Sequence, residues 1–340
     1  RDKNYPEFLV LEMGVDHPRD MDYLLSVAQP IIGVVTVIGQ AHLEFFGTPD
    51  SIAEEKSKLV ASLPSSGIAI LNADDRRVAA MASKCKGKVI TYGLGPEAQV
   101  RATEVSFNYR QANKLSPEAL VGINCELHYQ ESVVPLSLPL VMTEAALSSV
   151  LAAAAVGLSQ DLGLIEIADI LKDFQPLRGR FNLLPGVDGS VVIDDSYNAS
   201  PTSMIAALEI LANLPVDNLT RRIAVLGDML ELGLDSPAEH RRVGQVIAGL
   251  PIGHLILVGP LAKLIGEEAQ SLGWSGELEY FNNSSEAALK IKEIISTPAA
   301  ILVKGSQGTR MERLVKELLA NPQEASKYLV RQDGRWLANF

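Results

Sequence analysis

The 340-residue chain is 47% apolar and carries a formal net charge of −11. This length predicts about two compact domains, and the apolar fraction is high enough for each of them to bury a core. The negative charge argues against a protein that grips a nucleic-acid backbone, because such a protein needs a basic face. It is compatible with an enzyme whose anionic substrates meet a few local cations and a metal ion.

Cysteine usage and the lack of long apolar runs favour the cytoplasm. Cys85 and Cys125 match no metal-binding spacing and cannot form a disulfide framework, which indicates a reducing compartment. No apolar run approaches the ~20 residues that span a bilayer, and no signal peptide opens the chain. Arg1 leads straight into a predicted buried strand, so we expect the sequence to begin in the middle of a domain.

The first half of the chain alternates short apolar runs with helical stretches. Runs that are apolar on both faces are typical of a mostly parallel sheet covered on both sides. The predicted strands are residues 8–13, 31–38, 67–71 and 88–92, and the predicted helices are residues 21–28, 51–63, 75–83, 144–160 and 165–173. Thr48 can cap the second helix and Pro49 fits its first position. Residues 100–140 alternate in polarity, which predicts an antiparallel excursion.

Pro176 and the Arg-flanked Gly179 indicate a connector, so we place the domain boundary between residues 175 and 176. The second half repeats the strand–helix rhythm, which predicts a second, Rossmann-like α/β domain of the doubly wound type. Its predicted strands are residues 190–193, 222–226, 254–258 and 299–303, and its predicted helices are residues 203–214, 237–248, 261–272, 285–295 and 311–319.

Ligands of open parallel sheets bind beyond the carboxyl ends of the strands, and polar residues gather there in both halves. Glu12 lies at the end of a predicted strand and would suit Mg²⁺, whereas His42 follows another predicted strand and would suit a metal ion or a phosphate. A salt bridge for Glu12 and an ordinary hydrogen bond for His42 are the more common arrangements. Lys56 lies in the middle of a charged helix, where a solvated face with helical ion pairs is the ordinary interpretation. Two such sheet edges facing each other would form an interdomain cleft.

Two stretches of the second half suit polar ligands, although simpler interpretations stay open. Asp194 and Asp195 end a strand, where adjacent carboxylates suit ribose hydroxyls, a metal-bound water or an ammonium group; the alternative is an Asx-type turn. Residues 304–310 combine glycines, a hydroxyl and two cations before a helix, which suits an anion at the helix N-terminus. A plain strand-to-helix turn explains the second stretch almost equally well.

Taken together, eight stretches in order and at matching spacing resemble the Mur ligase family. They are Leu11-Glu12-Met13-Gly14 with His17-Pro18, residues 39–44 with Phe46-Gly47, residues 53–56, residues 70–75, Gly179-Arg180-Phe181, residues 193–201 with Ser203-Met204, residues 225–233 with His240, and residues 303–308. Within the family, residues 194–199 and 226–233 are most similar to the ligases that add D-alanyl-D-alanine to UDP-N-acetylmuramoyl-tripeptide.

The resemblance implies an ATP-dependent amide ligase of peptidoglycan precursor synthesis, acting as a monomer. ATP would phosphorylate the terminal carboxylate of the tripeptide to an acyl phosphate, which the amine of D-alanyl-D-alanine would attack. By similarity Glu12, His42 and Lys56 bind Mg²⁺, with Lys56 carrying CO₂ as a carbamate and so becoming an anionic ligand. The resemblance also implies ATP contacts from Asn72, Arg180, Asp195 and Asn198, and contacts to the amine substrate from Asp228, Lys304 and Ser306.

The chain departs from the family pattern at two places. The phosphate loop, Gly-x-x-Gly-Lys-Thr/Ser, should precede Glu12 and is absent from the printed sequence; the lone Gly-Lys pair is Gly87-Lys88. Ser149 stands where the family usually has an adenine-contacting Asn. Three interpretations follow: a ligase truncated in its central domain and lacking the N-terminal domain, a non-catalytic Mur-like binding or scaffold protein, or a ligase of the folylpolyglutamate or cyanophycin type. We prefer the first.

Overall fold

The computed structural model describes residues 6–39, 43–109, 120–214, 216, 221–295 and 298–334. The first sheet has six strands in chain order; the first four run parallel to one another, and the last two continue the sheet through antiparallel pairings that start from the fourth strand. The strands are β1 (Ile32–Val35), β2 (Ile68–Asn72), β3 (Lys88–Gly93), β4 (Val100–Tyr109), β5 (Leu120–Tyr129) and β6 (Ser132–Leu138). The predicted antiparallel excursion is therefore confirmed.

Helices cover both faces of this sheet, which explains the near-continuous apolar character of its parallel strands. They are α1 (Asp20–Val27), α2 (Leu43–Phe46), α3 (Pro49–Ser62), α4 (Arg76–Ala80), α5 (Glu144–Ser159) and α6 (Leu164–Leu171). The α3 helix starts as predicted, since the Thr48 side chain accepts the Ser51 N–H and Pro49 occupies the first turn. One core lies on the α3 side of the sheet and a second on the α5 side.

The second sheet also has six strands, in the order β11-β10-β9-β12-β8-β7. All are parallel except the edge strand β7, which pairs antiparallel with β8. The strands are β7 (Asn182–Pro185), β8 (Val191–Asp195), β9 (Arg222–Gly227), β10 (His254–Val258), β11 (Glu277–Phe281) and β12 (Ala300–Lys304). Because β12 lies between β8 and β9, the carboxyl ends of these three strands are neighbours.

The helices of the second domain again cover two faces, with a separate apolar core on each side. They are α7 (Pro201–Asn213), α8 (Ser236–Ala248), α9 (Lys263–Ser271), α10 (Ser284–Ile294), α11 (Glu312–Leu318) and α12 (Ala325–Tyr328). The expected fold class, two α/β domains with parallel-rich sheets, is confirmed. The predicted boundary at residues 175 and 176 lies in the connector between α6 and β7.

The predicted strand at residues 8–13 is wrong. This segment has no ladder partner, and Phe8, Leu9, Val10 and Leu11 are 63%, 62%, 92% and 50% exposed. A strand needs a neighbour to satisfy its backbone groups, and no described strand lies beyond β1, which ends the sheet. Glu12 is consequently exposed rather than held at the end of a buried strand. Among the described helices none is long and apolar enough to cross a membrane.

Candidate functional site

Lys304 and Asp195 form a buried ion pair where β12 and β8 end. The two residues are in register across the parallel ladder, so their side chains emerge side by side. Lys304 Nζ lies 2.6 Å from Asp195 Oδ2 and donates to the Asn198 carbonyl oxygen at 3.0 Å. The side chains are 3% and 13% exposed. The lysine thus fixes both the carboxylate and the loop that follows it.

Ser306 and Asp228 connect the ends of β12 and β9. Ser306 Oγ accepts the Leu230 N–H at 2.9 Å, and the Ser306 N–H donates to the Asp228 carbonyl oxygen at 3.0 Å. The Asp228 carboxylate accepts the Ala262 N–H at 2.6 Å, and its burial raises the pKa of Asp228. Five of the predicted residues (Asp195, Asn198, Asp228, Lys304, Ser306) therefore lie together at one edge of the second sheet.

His240 is hydrogen-bonded to the loop that follows β9. Its Nε2 is 3.0 Å from the Met229 backbone nitrogen, which can only donate, so Nε2 accepts. Nδ1 then carries the proton and donates to the Ser236 carbonyl oxygen at 2.7 Å. Burial lowers the pKa of His240, which favours the neutral ring that this arrangement requires. This imidazole therefore positions the loop that carries Asp228.

Asp194 is fully buried beside this edge. Its Oδ1 accepts the Ser196 N–H at 3.2 Å, while Oδ2 has no hydrogen-bond partner in the part of the chain that the structure describes. Burial raises the pKa of Asp194 to about 6, and the contact with Ser196 offsets only part of that rise. A carboxylate of this kind opposes folding when it is ionised, so stability alone does not account for it.

Arg180 lies close to the same loop through an aromatic contact. Gly179 adopts a left-handed φ of 71°, and its carbonyl oxygen accepts the Tyr197 N–H at 3.0 Å. This turn places the Arg180 guanidinium carbon 4.2 Å from the centroid of the Tyr197 ring, a cation–π contact. Arg180 is exposed and therefore accessible to a ligand at this edge.

Lys56 has an unusual environment for a lysine on a charged helix. It is half-buried on α3, and its ammonium has no hydrogen bond or ion pair with any described residue. Burial lowers the pKa of Lys56, and the charge of Asp75 opposes that effect. Asp75 itself accepts the Ile38, Arg77 and Val78 N–H groups. The expected helical ion pairs therefore form at its neighbours, such as Lys58 with Glu55, and not at Lys56.

The other described candidates of the first domain, Glu12 and Asn72, form no hydrogen bond or ion pair with Lys56. Glu12 is exposed, and no hydrogen bond or ion pair joins it to Lys56 within the described ranges. His42 lies outside the described residues. Asn72 is buried, and its amide bridges the Thr36 carbonyl oxygen and the Asp74 N–H. The described residues contain no group of three or more His, Cys, Asp or Glu side chains that could hold a metal ion.

A cavity of about 450 Å³ lies beside the loop that follows β9. Its lining combines apolar side chains with the carboxylates of Glu44 and Glu231. The lining residues are Glu44, Met229, Leu230, Glu231, Leu232, Gly233, Leu234, Ser236 and Leu261. Since Asp228 immediately precedes this loop, the cavity opens next to the cluster at the sheet edge.

Comparisons with known proteins agree with the two-domain architecture. The Mur ligase middle domain matches residues 2–156, and the Mur ligase, glutamate ligase domain matches residues 179–307. The UDP-N-acetylmuramoyl-tripeptide–D-alanyl-D-alanine ligase of Mycobacterium tuberculosis is 36% identical over 256 residues, covering 74% of this chain and 48% of the relative. The enzyme of the same name from Escherichia coli is 29% identical, covering 93% of this chain and 66% of the relative.

A crystal structure of MurF from Acinetobacter baumannii superposes with a TM-score of 0.76 at 30% identity, covering 91% of this chain and 64% of that one. The chain thus spans about half to two thirds of the length of these relatives. The matches run through both sheets and through the residues gathered at the edge of the second one. The chain belongs to the Mur ligase family, of which it carries the middle and the C-terminal domains.

Proposed function

We propose that this chain is part of an ATP-dependent ligase that joins D-alanyl-D-alanine to UDP-N-acetylmuramoyl-tripeptide in the cytoplasm, as a monomer. The observation that carries the proposal is the packed cluster of Asp195, Asn198, Asp228, Lys304 and Ser306 at one sheet edge, in a chain whose relatives bear the name of that reaction. In this reaction ATP phosphorylates the tripeptide carboxylate, the dipeptide amine attacks the acyl phosphate, and phosphate leaves the tetrahedral intermediate.

On the ATP side we assign Arg180, Asp195 and Asn198 of the second domain and Asn72 of the first. Arg180 is exposed and oriented by the Tyr197 ring, so its guanidinium can meet a phosphate in bidentate fashion. Lys304 holds Asp195 and Asn198 in place before ATP arrives, which reduces the entropy lost on binding. The Asn72 amide is already hydrogen-bonded to backbone groups. We therefore propose that Asn72 shapes the ATP pocket through these bonds.

On the amine side we assign Asp228, Lys304 and Ser306 together with the adjoining cavity. A volume of about 450 Å³ fits a dipeptide, and the Glu44 and Glu231 carboxylates would attract its ammonium group. The apolar lining from Leu230, Leu232 and Leu234 suits two methyl side chains. Asp228 has its pKa raised by burial, so it can accept a proton from the attacking amine more readily than an exposed aspartate could.

Two of the three proposed Mg²⁺ ligands would supply oxygen atoms, which the ion prefers, and the third would supply an imidazole nitrogen. Lys56 would supply a carbamate, formed when its neutral amine attacks CO₂ and releases a proton; the lowered pKa of Lys56 increases the neutral fraction that reacts. Glu12 would supply a carboxylate, and His42 is the third proposed ligand. When bound, the ion screens the negative charge of the phosphates.

A non-catalytic, Mur-like binding protein is the second candidate, and one observation favours it. Ser149 stands where the family usually has Asn, and its hydroxyl donates to the Ala145 carbonyl oxygen. On the ligase proposal we expect this chain, which spans 66% of the Escherichia coli relative, to use ATP very poorly by itself. The intact Lys56 and the Asp195–Lys304 pair speak for the ligase.

One experiment separates the two candidates. Two proteins are compared: the 340-residue chain, and the same chain fused to the N-terminal part of the Escherichia coli relative that it does not cover. Each is incubated with ATP, UDP-N-acetylmuramoyl-tripeptide and D-alanyl-D-alanine. We expect the fusion to form the pentapeptide product and the 340-residue chain alone to form almost none. A fusion that folds and binds the sugar nucleotide but forms no product would contradict the ligase proposal and support the binding protein.

A further inference from the structure

Arg331, near the end of the described chain, closes over the loop that follows β8. Its side chain is 4% exposed and reaches residues more than a hundred positions earlier in the sequence. Nη2 donates to the Tyr197 carbonyl oxygen at 2.7 Å, and Nη1 donates to the Ser196 carbonyl oxygen at 3.3 Å. A planar guanidinium can bind two successive carbonyl groups in this way because its donors are fixed in a fork.

Glu312 holds Arg331 in this position. The Glu312 side chain is 2% exposed at the start of α11; its Oε2 accepts Arg331 Nη1 at 3.1 Å and its Oε1 accepts Arg310 Nε at 2.6 Å. An unpaired buried carboxylate would be costly, so the two arginines and the glutamate depend on one another. This ion network ties the C-terminal segment and α11 to the backbone of residues 196 and 197.

The loop held by Arg331 contains the residues that we assign to ATP. Asp195 immediately precedes the two bound carbonyl groups and Asn198 immediately follows them. The Tyr197 ring contacts Arg180 at 4.2 Å and lies 5.6 Å from the guanidinium carbon of Arg331. A shift of this backbone would therefore displace Asp195, Asn198 and the Arg180 guanidinium at the same time.

We propose that Arg331 is a positioning residue, which fixes the loop of residues 195–198 through two of its carbonyl groups. The fixed loop then presents Asp195, Asn198 and Arg180 to ATP. The ATP part of this inference rests on the proposed function, whereas the fixing of the loop does not. In this proposal Arg331 acts through the loop, because Nη1 donates to Glu312 and to the Ser196 carbonyl oxygen and Nη2 donates to the Tyr197 carbonyl oxygen.

Hydrogen exchange of the printed chain tests the positioning directly. The Ser196 and Tyr197 amides donate to Asp194 Oδ1 and to the Gly179 carbonyl oxygen, so they report on the loop. We expect Arg331→Gln to increase their exchange rates about tenfold or more, and Arg331→Lys to increase them less, since one ammonium replaces the fork only in part. Arg313→Gln is the matched control, because Arg313 lies on α11 next to Glu312 and donates to Ser285 Oγ.

Two outcomes would overturn the positioning role. The first is unchanged exchange at Ser196 and Tyr197 in Arg331→Gln. The second is an equal increase along β9, since Arg331 would then only add general stability to the domain. An increase confined to residues 194–198 supports the proposal whether or not the protein proves to be a ligase.

Steady-state kinetics of the active fusion protein test the ATP part. A displaced ATP-facing loop should raise the KM for ATP about tenfold in Arg331→Gln and lower kcat less, with Arg331→Lys recovering part of the loss. A merely structural role would reduce the fraction of folded enzyme, which lowers the apparent kcat and leaves KM unchanged. An unchanged KM for ATP would therefore overturn the ATP-facing role, even where hydrogen exchange shows a loosened loop.

Discussion

The candidate residues of the second domain are bonded to one another, whereas the described candidates of the first domain are not. In the second domain Asp195, Lys304 and Ser306 bind one another or the neighbouring backbone, so the cluster is already assembled. In the first domain Lys56 is half-buried without an ion-pair partner among the described residues, and Glu12 is exposed. A preassembled site is suited to holding a ligand in a fixed geometry, whereas an incomplete one needs a further group to complete it. Four predictions test this contrast, beginning with the largest effect.

Replacement of Lys56 should have the largest effect. In the active fusion protein we expect Lys56→Ala to abolish ligation, because no other described side chain could carry the carbamate there, and added bicarbonate should not restore it. Lys58→Ala is the matched control: Lys58 lies two residues after Lys56 on α3 and is paired with Asp22 at 2.7 Å and with Glu55 at 2.9 Å. Ligation is measured as pentapeptide product, and the carbamate by ¹³C NMR under ¹³CO₂.

Unchanged ligation in Lys56→Ala would remove this lysine from the site. A carbamate signal that persists in Lys56→Ala but disappears in Lys58→Ala would show that the partnerless lysine is not the reactive one.

Breaking the Lys304–Asp195 pair should have the largest effect on stability. Lys304→Met leaves a nearly buried carboxylate without its cation and removes a bond to the Asn198 carbonyl oxygen. Loss of one partner of a buried pair costs about 3–5 kcal/mol. The free energy of unfolding can be followed by urea with the fluorescence of the buried Trp274 in a Trp336→Phe background.

The double variant Lys304→Met, Asp195→Asn should recover much of that loss, because no buried charge is then left unpaired. If the single variant is as stable as the parent, the edge of the second sheet is not a preassembled cluster.

Asp194→Asn should stabilise the second domain at alkaline pH. Burial raises the pKa of Asp194 from 3.8 to about 6 in the folded protein, so the folded state binds more protons between these two values. Stability therefore falls as pH rises from about 4 to about 6, and the full cost of about 3 kcal/mol applies above that range. The Asn variant lacks this fall, so its advantage should be largest at pH 8 and disappear at pH 4.

Urea titrations at the two pH values measure this difference, with Asp188→Asn, at an exposed turn, as a control. An advantage of equal size at both pH values would contradict ionisation as its cause. A variant that is stabilised but inactive would indicate that the carboxylate is kept for function at the expense of stability.

Thr48→Ala should have the smallest effect. The Thr48 side chain caps α3, the helix that carries Lys56, and loss of such a cap costs about 1 kcal/mol. We expect a slightly lower melting temperature of the first domain, with Thr48→Ser close to the parent. A loss of stability well above about 1 kcal/mol would show that the first domain depends on this helix cap for more than the stability of α3.

The parallel strands could be predicted because burial on both faces leaves a direct signal in the sequence. The two strands that were missed lack that signal: β7 is four residues long and ends at Pro185, and β11 alternates with the exposed Glu277 and Glu279. The strand wrongly predicted at residues 8–13 has the right composition, but composition does not show whether a neighbouring strand is present.

The same limit applies to the candidate site. The residues of the second domain follow strands that proved to be neighbours, so the general rule for parallel sheets brought them together. Arg331 could not be predicted, because its contacts with residues 196, 197 and 312 join distant parts of the chain and have no periodic or motif signal. Tyr197 was part of a recognised motif, but its contact with Arg180 depends on the turn at Gly179.

The exposed stretch from Phe8 to Leu11 also affects how the protein behaves in the test tube. Four consecutive large apolar residues with high β-propensity and no charge between them can pair with the same stretch of another molecule, and β1 ends its sheet without a described neighbour. This stretch should therefore make the chain prone to non-specific aggregation as its concentration rises, which is distinct from the monomeric state proposed for the ligase. Dilute handling, or a lysine substituted for the 92% exposed Val10, should keep it dispersed.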